Sequence, residues 1–560
     1  MDVSRDVSNA HPEDAAAEGP SSFYSQARAA LEFALSSWLF HVAIISFLLL
    51  QLFLEITELE HHFVGTLGFA LDDAWIHMTV ARNLVEGLGY GINPGRTVSV
   101  STSPTWTLLL AGAYSIFRQP VMANLFVSLL SQLAACIICY FLIRKLTGRS
   151  WLAVVGAIIF MYDPIPLWGL ASGMELPFAA AVLFATLYLY HAYGPETRAR
   201  LIGVPILLGF SAITRPELLL LIPLAMLDTF SLLYENPATR KLAVRTFLIQ
   251  GAIVLLTLLP YFLFNKISTN LLFPTSYYAK TRVRGVGFAA LLRHASFWSI
   301  IGHVASSSTA EVLEVANYFV SANLALFLLA VPGAFAFSKT LGTENGKNGR
   351  LMALAFFILP FAMGALAPAR HLSNHANRYY VVFPIMAVVL AMSGIDLILR
   401  KLKAQIVASF CLALMLCAPM RDFIKTVDLL IRDVDSTERL YHAMGVWVRD
   451  HLPKDAVLAV NDIGGLGYFA KRDFIDIMGL ATPEIWTAIS HDPGEDQDLN
   501  KLRRFLIDNK VEYVILCPLY YPPLTGDTKA FEPIMQWSER ITHNRLISPQ
   551  VLYKTHWPKE

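Results

Sequence analysis

The chain has 560 residues, of which 55% are hydrophobic and 16% charged, with a mean hydropathy of +0.49. Soluble proteins carry about 25% charged residues, so there is too little charge here to coat the three or four soluble domains, roughly, that the length allows; lipid must cover much of the surface. The net charge of +1, from 44 basic and 43 acidic residues, excludes nucleic acid as a partner, because binding a phosphate backbone needs a clustered basic excess.

Residues 1–36 are rich in Ala, Ser, Asp and Glu. They lack a basic segment leading to a cleavage site, which argues against a signal peptide and for a disordered cytoplasmic tail. The first apolar run, 38–57, is long enough to cross a bilayer at about 20 residues per span. Further apolar runs occupy 121–143, 151–168, 175–193, 201–214, 216–234, 246–265, 315–337, 351–368, 379–398 and 404–420, which gives an expectation of about eleven spans. With the N-terminus inside, the inner loops hold the Lys/Arg excess: Arg144, Lys145 and Arg149; Arg198 and Arg200; Arg240, Lys241 and Arg245; Lys339, Lys347 and Arg350; Arg400, Lys401 and Lys403. The short 105–118 run opens after Pro104 and reads as a helix lying in the outer interface. Four of the five cysteines, Cys136, Cys139, Cys411 and Cys417, lie in apolar runs, with Cys517 alone in a polar region; no disulfide framework or cysteine zinc site follows. From 421 onward no run can span. Ala456–Val460, Phe474–Ile477 and Tyr513–Leu516 read as strands and Asn500–Asn509 as a helix. The predicted organisation is a cytoplasmic tail (1–36), a polytopic α-helical membrane domain (37–420) with its active site in an outer loop (58–120), and an extracytoplasmic soluble α/β domain (421–560).

The outer loop carries the densest polar signal. Asp72 and Asp73 are adjacent, and two close carboxylates repel, which raises one of them towards use as a proton acceptor. Helical spacing brings His77 to the same face and Arg82 nearby. The plain alternative is helix capping, for which Asp at a helix start needs no chemistry. The pair is also a tentative site for a divalent cation (Mg, Mn or Ca) if a substrate phosphate completes the shell. Glu175, Arg215 and Glu217 stand at span ends, where ionisable groups are costly and usually functional; a structural ion pair is the alternative. Gly464-Gly465-x-Gly467 follows a strand but lacks the third glycine of a dinucleotide fingerprint and reads as a tight turn.

The stretch Asp72-Asp73-Ala-x-Ile-x₅-Ala81-Arg82-Asn83-Leu84-x₂-Gly87-x-Gly89-x₃-Asn93-Pro94-Gly95, followed by Thr102-Ser103-Pro104-x-Trp106, resembles the first outer loop of bacterial GT-C membrane glycosyltransferases, mycobacterial terminal arabinofuranosyltransferases above all. Ser172-Gly173-Met174-Glu175, Thr214-Arg215-Pro216-Glu217, Pro274 with Tyr278-Ala279-Lys280, Arg378-Tyr379, and Asp462-Ile463-Gly464 through Gly479-Leu480 extend the likeness over about 70–485. The chain departs from it at Met78-Thr79, where relatives often carry Arg-Tyr.

The resemblance implies a polyprenyl-phosphate sugar donor, an extracytoplasmic cell-envelope glycan or glycolipid as acceptor, and a multi-pass protein of the inner membrane. It favours arabinofuranose as the sugar. Asp72 and Asp73 are then the expected catalytic residues. His77, Arg82, Glu175, Arg215, Glu217, Tyr278, Lys280, Arg370, His371 and Arg378 are the expected substrate contacts, the cations among them suited to the leaving phosphate. Two alternatives are a transporter or flippase of lipid-linked sugars and a GT-C enzyme modifying lipid A. A transporter would place acidic residues deep within its spans and show repeated halves.

Overall fold

The structure is a computed structural model that describes residues 37–282, 296–336, 350–366, 374–402, 404–488, 495–539 and 549–557. The predicted tail, 1–36, lies outside the described residues. Each predicted apolar run falls on a helix or on two helices meeting at a bend. Among the described residues, six helices are long and apolar enough to cross a membrane, or up to eight if each bent pair counts as one span. Leu176–Ala192, Ala199–Thr214 and Arg350–Leu366 are apolar but shorter, and the expected eleven spans are reached only if these three are counted with the eight.

Val382–Leu397 is apolar all round and buried along nearly its whole length. Such a helix belongs in the middle of a bundle, and Leu324–Ala336, Arg350–Leu366 and Pro120–Thr147 pack around it. The peripheral helices Trp38–Val64, Arg240–Thr269 and Gln405–Thr437 instead expose apolar faces, among them Leu50, Leu54, Leu255, Leu256, Ile406 and Phe410. These are faces for lipid tails rather than water, and with the apolar helices they indicate a multi-pass membrane protein.

The expected boundary at 421 is not a linker. Gln405–Thr437 runs unbroken through it, because Val427, Leu430 and Val434 still bury themselves in the membrane-domain core. The helical path continues through Glu438–His442 into Ala443–His451, and only then does an α/β unit begin. Its strands are β1 (Leu458–Val460), β2 (Ile475–Asp476), β3 (Tyr513–Leu516), β4 (Phe531–Trp537) and β5 (Gln550–Thr555). They form one mixed sheet in the order β2-β1-β3-β5-β4. The first three are parallel, with Ala459 opposite both Ile475 and Val514; β5 runs antiparallel to β3 and β4. The predicted strands and the helix, observed as Glu495–Asp508, are present. The strands β4 and β5 are additional.

Candidate active site

The helix Asp72–Val85 begins at Leu71, whose backbone is extended and whose side chain supplies no cap. Two carboxylates in the first turn suit that end electrostatically, because the unpaired backbone N–H groups carry partial positive charge. The helix then buries itself almost completely. Its neighbour is the segment Ser172–Glu175. There Gly173 adopts φ +89, and a Cβ would lie 2.6 Å from Cβ of Ala74, so a side chain is excluded twice over and the segment can press against this helix. The Ala70 amide donates to the Ser172 carbonyl (3.2 Å) and Asn124 Nδ2 to the Gly173 carbonyl (3.0 Å).

Asp73 is the open carboxylate. Its side chain is 50% exposed, and its Oδ2 accepts from Nη2 of Arg378 at 2.7 Å. Arg378 itself is only 5% exposed. Its Nη1 reaches Sδ of Met174 at 3.9 Å, and its Nε has no hydrogen-bond partner among the described residues, so part of this buried guanidinium's donor capacity is unspent. Beside it lies a triad: Arg215 Nη1 donates to Glu175 Oε1 at 2.6 Å and Nε to Glu217 Oε1. The Tyr379 ring sits between the two cations, 5.2 Å from Arg378 Cζ and 5.4 Å from Arg215 Cζ. His77 Nε2 lies 3.9 Å from Glu175 Oε2, and its Nδ1 meets the hydroxyls of Thr107 (2.8 Å) and Ser101 (3.1 Å). Burial lowers the imidazole pKa against the pull of Glu175 and Asp73, which keeps His77 neutral at pH 7.

Asp72 turns to the C-terminal unit. Its Oδ2 accepts from the Gly464 amide (2.9 Å) and its Oδ1 from the Gly465 amide (2.7 Å). Burial pushes its carboxyl up to about 8, repulsion from Asp462 adds to the rise, and the two amides oppose it. Both oxygens are occupied, so Asp72 is a clamp between the outer-loop helix and the C-terminal unit. No group of three or more His, Cys, Asp or Glu among the described residues is placed to hold a metal, so a divalent cation here would need a substrate phosphate to complete its shell beside the exposed Asp73 carboxylate.

Other expected substrate contacts separate. Arg82 meets the C-terminal unit: Nη1 donates to the Tyr468 carbonyl at 2.8 Å and Cζ lies 4.4 Å over the Tyr468 ring. Tyr278 packs against the core of the C-terminal sheet. Arg370 and His371 lie outside the described residues, as does the Lys280 side chain. The structure thus gathers Asp72, Asp73, His77, Glu175, Arg215, Glu217 and Arg378 at one end of the bundle.

Sequence reasoning missed Asp462 as a site residue. It lies just beyond β1 and accepts from Gln550 Nε2 (2.8 Å), Tyr441 OH (3.2 Å) and Asn461 Nδ2 (3.2 Å). Burial raises its carboxyl to about 6, with the Tyr441 hydroxyl opposing and Asp73 adding repulsion. The signal available was its place at the end of a predicted strand, just before two glycines.

Three comparisons bear on this arrangement. Residues 101–264 match the family described as dolichyl-phosphate-mannose-protein mannosyltransferase, and residues 431–557 match a domain of unknown function, DUF8728. Among solved structures, ArnT from Cupriavidus metallidurans bound to undecaprenyl phosphate superposes with a TM-score of 0.56 at 11% identity, covering 90% of this chain and 97% of that one. The apo form of the same protein gives 0.53 at 12% identity with the same coverage. No curated protein matches the chain by sequence. The structural likeness gives the fold. With the mannosyltransferase-family match, it indicates a GT-C glycosyltransferase. These matches bear on the class of enzyme and leave the sugar open.

Proposed function

We propose that the chain transfers a sugar from a polyprenyl-phosphate donor to a hydroxyl of a cell-envelope glycan or glycolipid, on the outer face of the inner membrane. The observation that carries this reading is the Asp73–Arg378 pair: a half-exposed carboxylate 2.7 Å from a buried guanidinium with unspent donors. Asp73 takes the proton from the acceptor hydroxyl. The acceptor oxygen bonds to the anomeric carbon as the bond from that carbon to the phosphate oxygen breaks. The departing polyprenyl phosphate gains negative charge, which Arg378 stabilises; a planar guanidinium suits a phosphate because it donates in a fork. Glu175 and Glu217 keep Arg215 charged and fixed against the Tyr379 ring, whose other neighbour is Arg378. The ArnT structure bound to undecaprenyl phosphate supports a donor of this lipid class.

Arabinofuranose is the preferred sugar, on the strength of the first-loop motif. The mannosyltransferase-family match over residues 101–264 favours transfer chemistry over transport of lipid-linked sugars. The test is to incubate the purified chain with a panel of polyprenyl-phosphate sugars, arabinofuranose and mannose included, and to measure donor consumption and polyprenyl phosphate release. Consumption of at least one donor is expected. Recovery of every donor intact contradicts the reading.

A further inference from the structure

The C-terminal sheet holds a topological switch point. From β1 the chain passes to β2 on one side and then to β3 on the other, with all three strands parallel. In open α/β sheets, ligands bind outside the carboxyl ends of the strands where the winding reverses in this way. The turn after β1 carries Asn461 and Asp462, and the loop after β3 carries Tyr520 and Tyr521. Since β5 runs antiparallel to β3, with Leu516 opposite Val551, it delivers Gln550 to the same edge.

The usual occupant of such a turn is a phosphate on the backbone amides. Here the Gly464 and Gly465 amides already hold the Asp72 carboxylate. Asp462 and Asp73 would also repel any added anion. What the crevice offers instead is acceptor oxygen. Asp462 is partly exposed. Beside it, the Gln550 amide donates through Nε2, and its Oε1, on a side chain 98% buried by its 2% exposure, has no hydrogen-bond partner among the described residues. Tyr520 is 52% exposed, and the next residue's hydroxyl, Tyr521 OH, donates to Asn461 Oδ1 at 2.9 Å, which ties this loop to the turn after β1. Oxygen acceptors beside an exposed aromatic ring suit an uncharged polyol, whose hydroxyls donate and whose C–H face lies on the ring.

We propose that the crevice formed by Asn461, Asp462, Tyr520 and Gln550 is a saccharide subsite that holds the acceptor's sugar ring next to Asp73. The inference rests on the glycosyl-transfer reading for the identity of the occupant. The donor's own sugar is the less suitable guest, because it is tied to a phosphate that these carboxylates repel.

The test is saturation-transfer NMR on the full chain in lipid nanodiscs, with short mannan, arabinan and galactan oligosaccharides as probes. Undecaprenyl phosphate binding is measured in parallel. At least one oligosaccharide should receive saturation from the wild type. Tyr520→Ala and Asp462→Asn should each weaken that signal by about tenfold, the loss of one good polar or stacking contact of ~1.4 kcal/mol, with undecaprenyl phosphate affinity unchanged. Tyr520 is exposed and Asp462→Asn keeps the side-chain shape, so both variants are expected to fold; matching thermal unfolding midpoints check this. No saturation of any oligosaccharide by the wild type overturns the proposal, as does binding that survives both substitutions. Neither readout involves turnover. A chain that binds saccharide but consumes no donor therefore refutes glycosyl transfer and leaves the crevice standing; one that consumes donor but binds no saccharide does the reverse.

Discussion

Replacing Gly464 by alanine should disable the enzyme without unfolding it. A Cβ at this position would lie 1.9 Å from the Asp72 carbonyl oxygen and 2.7 Å from the Asp72 carboxyl carbon. Both are far inside van der Waals contact at about 3.5–4.0 Å, so the turn and the helix start must part by more than an ångström. Overpacking of this kind costs roughly 1–3 kcal/mol. A misplacement of about 1 Å at a catalytic group can cost ~10²-fold in rate, and Asp73 is the next residue along. Gly464→Ala should thus lower donor turnover by about two orders of magnitude while a folded chain remains. Gly302→Ala is the control, since a Cβ there meets no atom within 4 Å and alanine suits a helix interior better than glycine. Donor consumption and the thermal unfolding midpoint should be followed in both variants. Wild-type turnover in Gly464→Ala would refute the claim that the C-terminal turn sets the catalytic helix.

Two more outcomes follow from the same geometry. Arg378→Ala should weaken donor binding by tenfold or more, since a hydrogen bond to a charged group contributes about 1.5–3 kcal/mol, and Arg378→Lys should restore part of the loss; titration with undecaprenyl phosphate reads both. For Asp72, between the ordinary carboxyl pKa of about 3.9 and the raised value of about 8, the folded chain keeps a proton that the unfolded chain has released. Stability therefore falls as pH rises through that window, and Asp72→Asn should flatten the slope of unfolding midpoint against pH between 4 and 8, roughly the window set by those two values.

The membrane helices were legible because a bilayer imposes a simple length and composition on each span. The outer-loop site was legible in part. Glu175, Arg215 and Glu217, read at span ends, meet Asp73 and His77 of the outer loop and Arg378, because buried charges need partners. The contacts of Asp72 and Arg82 were not legible: adjacency and helical spacing place residues on a face but do not say what covers that face. Here the C-terminal unit covers it, through Gly464, Gly465 and Tyr468, and contacts nearly four hundred residues apart in the chain leave no local pattern. Strand β4 escaped detection because Pro533 interrupts it and most of its residues are exposed, with a register shift between Pro533 and Met535. Its partner β5 lay in a short apolar run near the chain end and took its meaning only from pairing with β3.

The central claim is that Asp73 is the base for transfer from a polyprenyl-phosphate sugar. Its most direct test compares wild type, Asp73→Asn and Asp73→Glu in the donor-consumption assay, with undecaprenyl phosphate affinity measured on each. Asp73→Asn should lower turnover by ~10²-fold or more, the magnitude of general-base catalysis, while the chain still binds undecaprenyl phosphate; Asp73→Glu should retain part of the activity. Turnover in Asp73→Asn equal to that of the wild type would contradict the account.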